Sequence, residues 1–242
     1  MKLLLSALGG LALTISAPAM AARPKAKAAP VAKSAPVEEA KEEIPFVRSE
    51  EATRVVDWVA SSGDHGTLPY IVIDKKAATA FLFNAKGQSL GHAPVLIGIA
   101  PGDEATPGIG SKNLSEIGPA EKTTPAGRFL AKFGVAAGKQ QVLWVDYATS
   151  VALHTIPTGS PKEKRRERML SPTAEDNRIT FGCINVPKLF YSKSVSPLFR
   201  KKGGYVYVLP DTKPLEAVFP RLRVQPFLNA AAAQATATAS TD

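Results

Sequence analysis

Residues 70–87 read YIVIDKKAATAFLFNAKG, a stretch in which a short polar segment separates two apolar runs. The runs 70–74 and 79–83 are short and rich in β-branched and aromatic side chains, which is typical of strands. Residues 84–87 supply the Asn and Gly of a tight turn. Short strands joined by tight turns predict an antiparallel sheet.

Further strands are predicted along the rest of the chain. A third run crosses 95–98, and later ones lie at 128–133, 141–146, 151–154 and 204–209. Residues 101–125 are rich in Gly and Pro, and a loop this long inside a compact domain is usually functional. Ahead of the sheet, Ser49 and two following glutamates predict a capped helix within 46–63. The pattern as a whole predicts a mainly β domain with short helices, an α+β fold.

The two ends of the chain read as tails around one domain at 64–226. Residues 1–21 combine a basic start, an apolar run and a small-residue site, the layout of a signal that is removed on export, with a retained anchor as the alternative. Residues 22–45 are rich in Ala, Pro and Lys and predict a disordered linker, and residues 227–242 predict a disordered tail. We therefore expect an exported protein with no tight membrane insertion after signal removal.

Length and charge narrow the class of protein. With 242 residues and 45% hydrophobic content, the chain can bury one substantial core. Its formal net charge of +9 favours acidic partners. Nucleic acid is not expected as a partner, since no basic segment is interleaved with stacking aromatic residues. We expect a monomer.

The stretch 177–187, NRITFGCINVP, holds the single cysteine of the chain, Cys183. It predicts a strand, a glycine, the cysteine and then a helix that begins near Pro187. A thiol beside a helix N-terminus would have a lowered pKa. Gly182 leaves room for a substrate carbonyl, and the N–H groups of Gly182 and Cys183 could bind an oxyanion. A lone cysteine is either buried and inert or reactive, and both interpretations stay open here.

A thiol nucleophile needs a base, and the chain has three histidines. His65 lies in a polar turn, where solvation explains it, and His92 lies in a polar break within a strand run. His154 ends the apolar strand at 151–154, a place where a site can form. Such a histidine is often structural, but together with Cys183 it is the best candidate for the base of a Cys–His couple.

Two ordered motifs resemble those of the L,D-transpeptidase catalytic domain, the YkuD-type family. The family's site motif is a histidine, a variable spacer, then Ser or Thr, His, Gly, Cys, an apolar residue and Asn or Arg. In this chain it reads His154, a spacer, and TFGCIN at 180–185. The family's Thr-Pro-x-Gly-x-Phe turn is present as TPAGRF at 124–129. The resemblance covers roughly residues 70–210.

The resemblance implies a fold, a substrate and a reaction. The fold is a β-sandwich or barrel of mixed sheets, and the partners are peptidoglycan stem peptides in the periplasm or cell envelope. Cys183 would attack the bond between meso-diaminopimelate and the terminal D-alanine of a tetrapeptide stem, with His154 as base. A second diaminopimelate amine would then resolve the thioester to give a 3–3 cross-link. Side chains that could orient the substrate are those of Thr155, Arg178, Thr180 and Asn185, although ordinary turn and cap bonding explains them equally well.

The chain departs from the family in two places. Phe181 stands where most members have a second histidine, and because its ring cannot hydrogen-bond, donor specificity is in doubt. The spacer is longer than usual because it holds a basic insertion at 160–172. Ser160 to Glu163 predict the start of a short helix there. Its basic face is either simply solvated or a flap that attracts acidic substrate.

Two other functions stay open at the level of sequence. Water in place of an amine would make the protein a thiol hydrolase on the same fold, which cuts stems, cross-links or attached proteins. An inactive relative would only bind wall peptide. No metal-ligand spacing and no nucleotide-binding loop are present in the sequence, so no cofactor is predicted.

Overall fold

A computed structural model describes residues 47–158 and 161–239. The strands of these residues are β1 (Tyr70–Asp74), β2 (Thr79–Phe83), β3 (Ser89–Pro94), β4 (Ile97–Gly98), β5 (Gly127–Val135), β6 (Gln141–Asp146), β7 (Val151–Thr155), β8 (Arg178–Thr180), β9 (Ile184–Val186) and β10 (Gly204–Val208). The α-helices are α1 (Glu50–Ser62), α2 (Arg165–Met169), α3 (Lys188–Phe190), α4 (Ser196–Phe199), α5 (Leu215–Val218) and α6 (Gln225–Ala239). The predicted mainly β fold with short helices is confirmed.

Eight of the strands form one sheet in the order β3-β2-β1-β10-β5-β6-β7-β9, while β4 pairs with β8. Within this sheet β1 lies parallel to β10 and β7 lies parallel to β9, so the sheet is mixed and not purely antiparallel as the hairpin signals suggested. Leu96, close after one edge strand, exchanges two backbone hydrogen bonds of 2.9 Å with Asn185 on β9 at the other edge. These bonds nearly close the sheet into a barrel, and they place β9 at the seam.

The central strands are buried on both faces, which explains why their sequences are continuously apolar. Every residue of β1 and β2 is buried. Ile71 and Ile73 point into the barrel core, whereas Tyr70 and Val72 pack in a second cluster with α1. Side chains alternate along a strand, so two cores on opposite sides require an apolar residue at every position.

The helix α1 is closed at both ends by the residues that the sequence signals. The Ser49 hydroxyl accepts a hydrogen bond of 3.0 Å from the Ala52 N–H, and Gly63 ends the helix in the left-handed conformation. One face of the helix is buried against the sheet, with Trp58 in edge contact with Tyr207. The predicted helix thus packs on the outside of the barrel.

Two segments differ from their predictions. The partner of β2 is β3, which is mostly exposed and has no apolar run, whereas the apolar residues 95–97 are buried at the barrel seam. The C-terminal segment forms α6 where a disordered tail was predicted from residue 227, since an alanine-rich sequence has high helix propensity.

The predicted signal at 1–21 and linker at 22–45 lie outside the described residues. Within residues 47–158 and 161–239, no helix has the length and apolarity needed to cross a membrane.

Candidate active site

Cys183 lies between Gly182 and the first residue of β9, and its side chain is half-buried. Its Sγ lies 3.6 Å from the Ser150 carbonyl oxygen, at the start of β7. The thiol is therefore held against the neighbouring strand and still reaches solvent. The cysteine is thus not sealed in the interior of the barrel.

His154 lies near the far end of the same neighbouring strand. In the parallel pair of β7 and β9, His154 is opposite Asn185 and Leu153 is opposite Ile184. The imidazole Nδ1 lies 2.7 Å from the Thr155 carbonyl oxygen, and Nε2 lies 3.4 Å from Asn185 Nδ2. An Nδ1–H that donates to the carbonyl leaves Nε2 as the unprotonated nitrogen, whose lone pair faces the Asn185 amide.

Strand geometry brings the thiol and the imidazole to one surface. Leu153 and Ile184 point into the barrel core, so His154 and Asn185 point to the other face. Cys183 precedes Ile184 and therefore falls on the face of His154. The Cys183 backbone lies two residues before Asn185, the partner of His154, which corresponds to roughly 7 Å along the strand. The thiol itself contacts Ser150, four residues before His154, and must rotate away from that carbonyl to approach the imidazole.

The turn that carries the cysteine is fixed by two threonine hydroxyls. Thr180 Oγ1 donates to the Cys183 carbonyl at 2.6 Å and accepts from the Gly182 N–H at 3.1 Å. Thr124, the first residue of the TPAGRF turn, donates to the Gly182 carbonyl at 2.8 Å and accepts from the Gly98 N–H at 2.9 Å. The two motifs seen in the sequence are thus joined by a direct hydrogen bond.

Gly182 is required by its backbone and by its surroundings. Its φ of +126° is a conformation that other residues rarely adopt. A Cβ at this position would lie 2.6 Å from the Thr123 carbonyl oxygen. Of the two predicted oxyanion donors, the Gly182 N–H is already bonded to Thr180, so the prediction is wrong for that group. The Cys183 N–H stays the candidate.

The electrostatics of the pair differ from the sequence-based expectation. Burial raises the pKa of the Cys183 thiol, and the Ala152 N–H and the charge of Arg165 oppose this only in part. Burial also lowers the pKa of the His154 imidazole; the Thr155 carbonyl raises it and the Arg165 charge lowers it again. The predicted lowering by a helix N-terminus is wrong, because β9 lies between the cysteine and α3. Both groups rest in their neutral forms.

The pH dependence of thiol alkylation tests this description. Only the thiolate reacts with iodoacetamide, so a raised pKa means that the rate keeps increasing beyond the ordinary thiol pKa of about 8.5. Mass spectrometry of the intact protein across a pH series measures that rate at Cys183, the single cysteine. A rate that is already maximal at neutral pH would instead support the lowered pKa expected from the sequence.

Three of the four predicted substrate-binding side chains are bonded within the protein. Thr180 and Asn185 are 2% and 0% exposed, respectively, and both bond within the protein, so neither side chain is placed to meet a substrate directly. Arg178 donates to Asp211 at 2.7 Å, so its guanidinium is already paired with a carboxylate of the protein. Thr155 is half-buried at the end of β7, and its contact with substrate stays a prediction.

A buried lysine that the sequence did not single out holds the TPAGRF turn. Lys75 is fully buried, and its Nζ lies 3.0 Å from Asp103, 3.2 Å from Asp211 and 2.9 Å from the Thr124 carbonyl oxygen. Asp103 in turn accepts hydrogen bonds from backbone N–H groups of residues 211–213. This ion network holds the Thr124 carbonyl in place and so supports the turn that carries Cys183. A lysine directly after an apolar strand carries no sequence signal of such a role.

The basic insertion contains two short helical turns, Pro161–Glu163 and α2, separated by Lys164 in a left-handed conformation. Its other lysine, Lys162, and Arg166 are exposed, as the solvated interpretation expects. Arg165 is different, since only 13% of its side chain is exposed and its guanidinium donates to Asn185 Oδ1 at 2.9 Å. The insertion therefore contacts the candidate site through one arginine.

Phe181, which replaces the family histidine, forms part of the rim. Its side chain is 36% exposed, and the Lys122 ammonium lies 3.7 Å from the ring centroid, a cation–π contact. Among the described residues Lys122 makes no ion pair with a carboxylate. A positive charge is thus held near the cysteine turn.

The described residues contain no cluster of His, Cys, Asp or Glu that could hold a metal ion.

Among known proteins, the chain is similar to solved structures but to no family model and no curated protein. The chain is similar to the L,D-transpeptidase from Xylanimonas cellulosilytica DSM 15894, with 13% identity over 60% of this chain and 62% of that chain and a TM-score of 0.36. It is also similar to the catalytic domain of the E. faecium L,D-transpeptidase, with 14% identity over 60% of this chain and 99% of that chain and a TM-score of 0.33. The match spans less than two thirds of the Xylanimonas chain, and both similarities concern the fold.

Proposed function

We propose that the chain is a cysteine acyltransferase of the L,D-transpeptidase type that acts on peptidoglycan tetrapeptide stems in the periplasm or cell envelope. The observation that carries the proposal is the half-buried Cys183 thiol on the same barrel face as the His154 imidazole, whose Nε2 carries no proton. These two residues occupy the nucleophile and base positions of the family motif.

The first half of the reaction forms a thioester. Because both groups rest neutral, His154 Nε2 takes the thiol proton as Cys183 Sγ attacks the carbonyl between diaminopimelate and D-alanine. A new S–C bond forms, and the Cys183 N–H faces the charge on the carbonyl oxygen. The C–N bond then breaks, and the imidazolium gives its proton to the leaving D-alanine amine.

The second half transfers the acyl group. The side-chain amine of a second diaminopimelate attacks the thioester, the C–S bond breaks and the proton lost by the amine returns to the sulfur through His154. The product is a 3–3 cross-link. The charge of Lys122 at the rim suits a substrate with several carboxylates, since an exposed cation near the nucleophile attracts acidic peptides.

Purified tetrapeptide muropeptides test the proposal directly. We expect the protein to release D-alanine and to produce dimers whose mass corresponds to one peptide bond between two diaminopimelate residues. Mass spectrometry of the products separates the possible outcomes. Tripeptide monomers without dimers would identify a hydrolase, because water would then have resolved the thioester.

A catalytically inactive relative would behave differently in the same experiment. It would retain muropeptides or sacculi without any change in their mass, and an alanine in place of Cys183 would leave that binding unchanged. No turnover by the wild-type protein over a range of pH, together with unchanged binding by the alanine variant, would exclude the acyltransferase.

A further inference from the structure

A line of hydrogen bonds joins the basic insertion to the imidazole of His154. Arg165 donates to Asn185 Oδ1 at 2.9 Å, and Asn185 Nδ2 lies 3.4 Å from His154 Nε2. Asn185 is fully buried, and its backbone N–H and carbonyl both bond to Leu96 across the barrel seam. The Asn185 side chain can therefore change its orientation mainly by rotation of the amide about the Cβ–Cγ bond.

The donors and acceptors along this line permit one arrangement. An arginine has donors and no acceptor, so the oxygen of the Asn185 amide must face Arg165. The amide nitrogen, a donor, then faces His154 Nε2, which must be the acceptor and carry no proton. At the other side of the ring the Thr155 carbonyl accepts from Nδ1–H at 2.7 Å. The protonation pattern of the imidazole is thereby set from both sides.

Loss of Arg165 would remove the constraint on the amide. A rotated Asn185 would point its oxygen toward Nε2, and the ring would then meet an acceptor at each nitrogen, Thr155 at Nδ1 and Asn185 at Nε2. Two acceptors favour the doubly protonated imidazolium, which has no lone pair with which to take the thiol proton. The arginine prevents this arrangement by its hydrogen bond and opposes the imidazolium by its charge.

Arg165 is itself held in place. Its Nε donates to the Glu163 carboxylate at 2.7 Å, and a second nitrogen lies 3.5 Å from the same carboxylate. Glu163 and Arg165 both belong to the insertion, so the guanidinium is oriented before it reaches the site. The charge of Arg165 acts to lower the pKa of His154, and the Glu163 carboxylate is paired with that guanidinium.

We propose that Arg165 is a positioning residue that acts through Asn185 to hold His154 as a neutral base with an unprotonated Nε2. This inference rests on the proposed function of His154 as the base, and it assigns the basic insertion a part in the site. The insertion would thus be part of the site, and not only a solvated basic surface or a flap that attracts acidic substrate.

The test compares Arg165→Met with Lys162→Met by NMR titration of ¹⁵N-labelled histidines. Both variants remove one positive charge from the insertion, but Lys162 is exposed, whereas Arg165 donates to Asn185. We expect Arg165→Met to raise the His154 pKa by about one unit, a roughly tenfold change in proton affinity, because the imidazolium gains an acceptor and loses a repelling charge. The nitrogen shifts should also show protonation at Nε2. Lys162→Met should leave both readouts at their wild-type values.

Arg165→Lys provides a conservative variant, since an ammonium keeps the charge and one donor for the Asn185 oxygen. We expect it to retain a neutral ring protonated at Nδ1. An Arg165→Met protein whose His154 pKa and ring protonation match those of Lys162→Met would overturn the proposal, as would an Arg165→Lys protein that shifts as far as Arg165→Met. The titration uses no peptidoglycan substrate, so its outcome is independent of whether the protein turns over muropeptides.

Discussion

Replacing Cys183 with alanine is expected to abolish turnover of tetrapeptide stems, with a decrease in rate of at least roughly 10³-fold, because the reaction as proposed passes through a thioester on that sulfur. The variant should also form no acyl adduct when treated with a carbapenem, whereas the wild-type protein should gain the mass of one opened β-lactam. Intact-protein mass spectrometry measures the adduct, and product analysis measures the turnover. Since the chain has a single cysteine, the position of the adduct is not ambiguous.

Cys183→Ser is the matched control for packing. A hydroxyl occupies nearly the same space, so the serine variant should keep the wild-type melting temperature while losing most of the activity, since a serine is a much weaker nucleophile beside a histidine of lowered pKa. Turnover by the alanine variant at the wild-type rate would exclude the thiol mechanism altogether.

Replacing Lys75 with methionine should produce the largest loss of stability among single substitutions in the region of the site. Methionine has a similar volume, but the change leaves buried Asp103 without its cation and leaves Asp211 paired with Arg178 alone. Removing one partner of a buried ion pair costs about 3 to 5 kcal/mol. The free energy of unfolding, measured with urea and circular dichroism, should decrease by that amount.

Lys76→Met is the control for this substitution. Lys76 is the next residue, and its side chain is 48% exposed where it pairs with Glu51 at 3.0 Å. An exposed pair of this kind contributes at most about 1 kcal/mol. Equal losses in the two variants would mean that the buried network does not stabilise the fold.

The same network predicts a loss of stability in acid. Burial alone would raise the pKa of Asp103, but the N–H groups of Lys213, Asp211 and Thr212 and the Thr212 hydroxyl outweigh burial and hold this pKa well below its usual range. A carboxyl whose pKa is depressed on folding stabilises the protein above its unfolded pKa of about 3.9 and loses that contribution as the pH falls further. Thermal unfolding between neutral pH and strong acid should show this decrease in the wild-type protein.

The sequence by itself determined the local elements and supplied the two candidates for the proposed nucleophile and base. The runs at 70–74 and 79–83 are strands, the helix capped by Ser49 is present, and the insertion has a short helix. Each of these depends on side-chain periodicity or capping within a few residues, which is visible in sequence. Cys183 and His154 became candidates because the chain has one cysteine and three histidines, and because both residues fit the site motif that the chain resembles.

Only the tertiary structure decided how these parts meet. The parallel pairing of β1 with β10 and of β7 with β9 joins segments far apart in sequence, and it replaces the antiparallel sheet that hairpin turns indicate. The tertiary structure also decided that the pKa of the Cys183 thiol is raised. Neighbouring strands bury this thiol, and burial outweighs any effect of the helix that follows. Lys75 and Arg165 look like ordinary surface cations in the sequence. Their roles come from the carboxylates and the amide that folding brings to them. Hydrogen bonds between residues distant in sequence leave no periodic signal, so these roles could not be predicted.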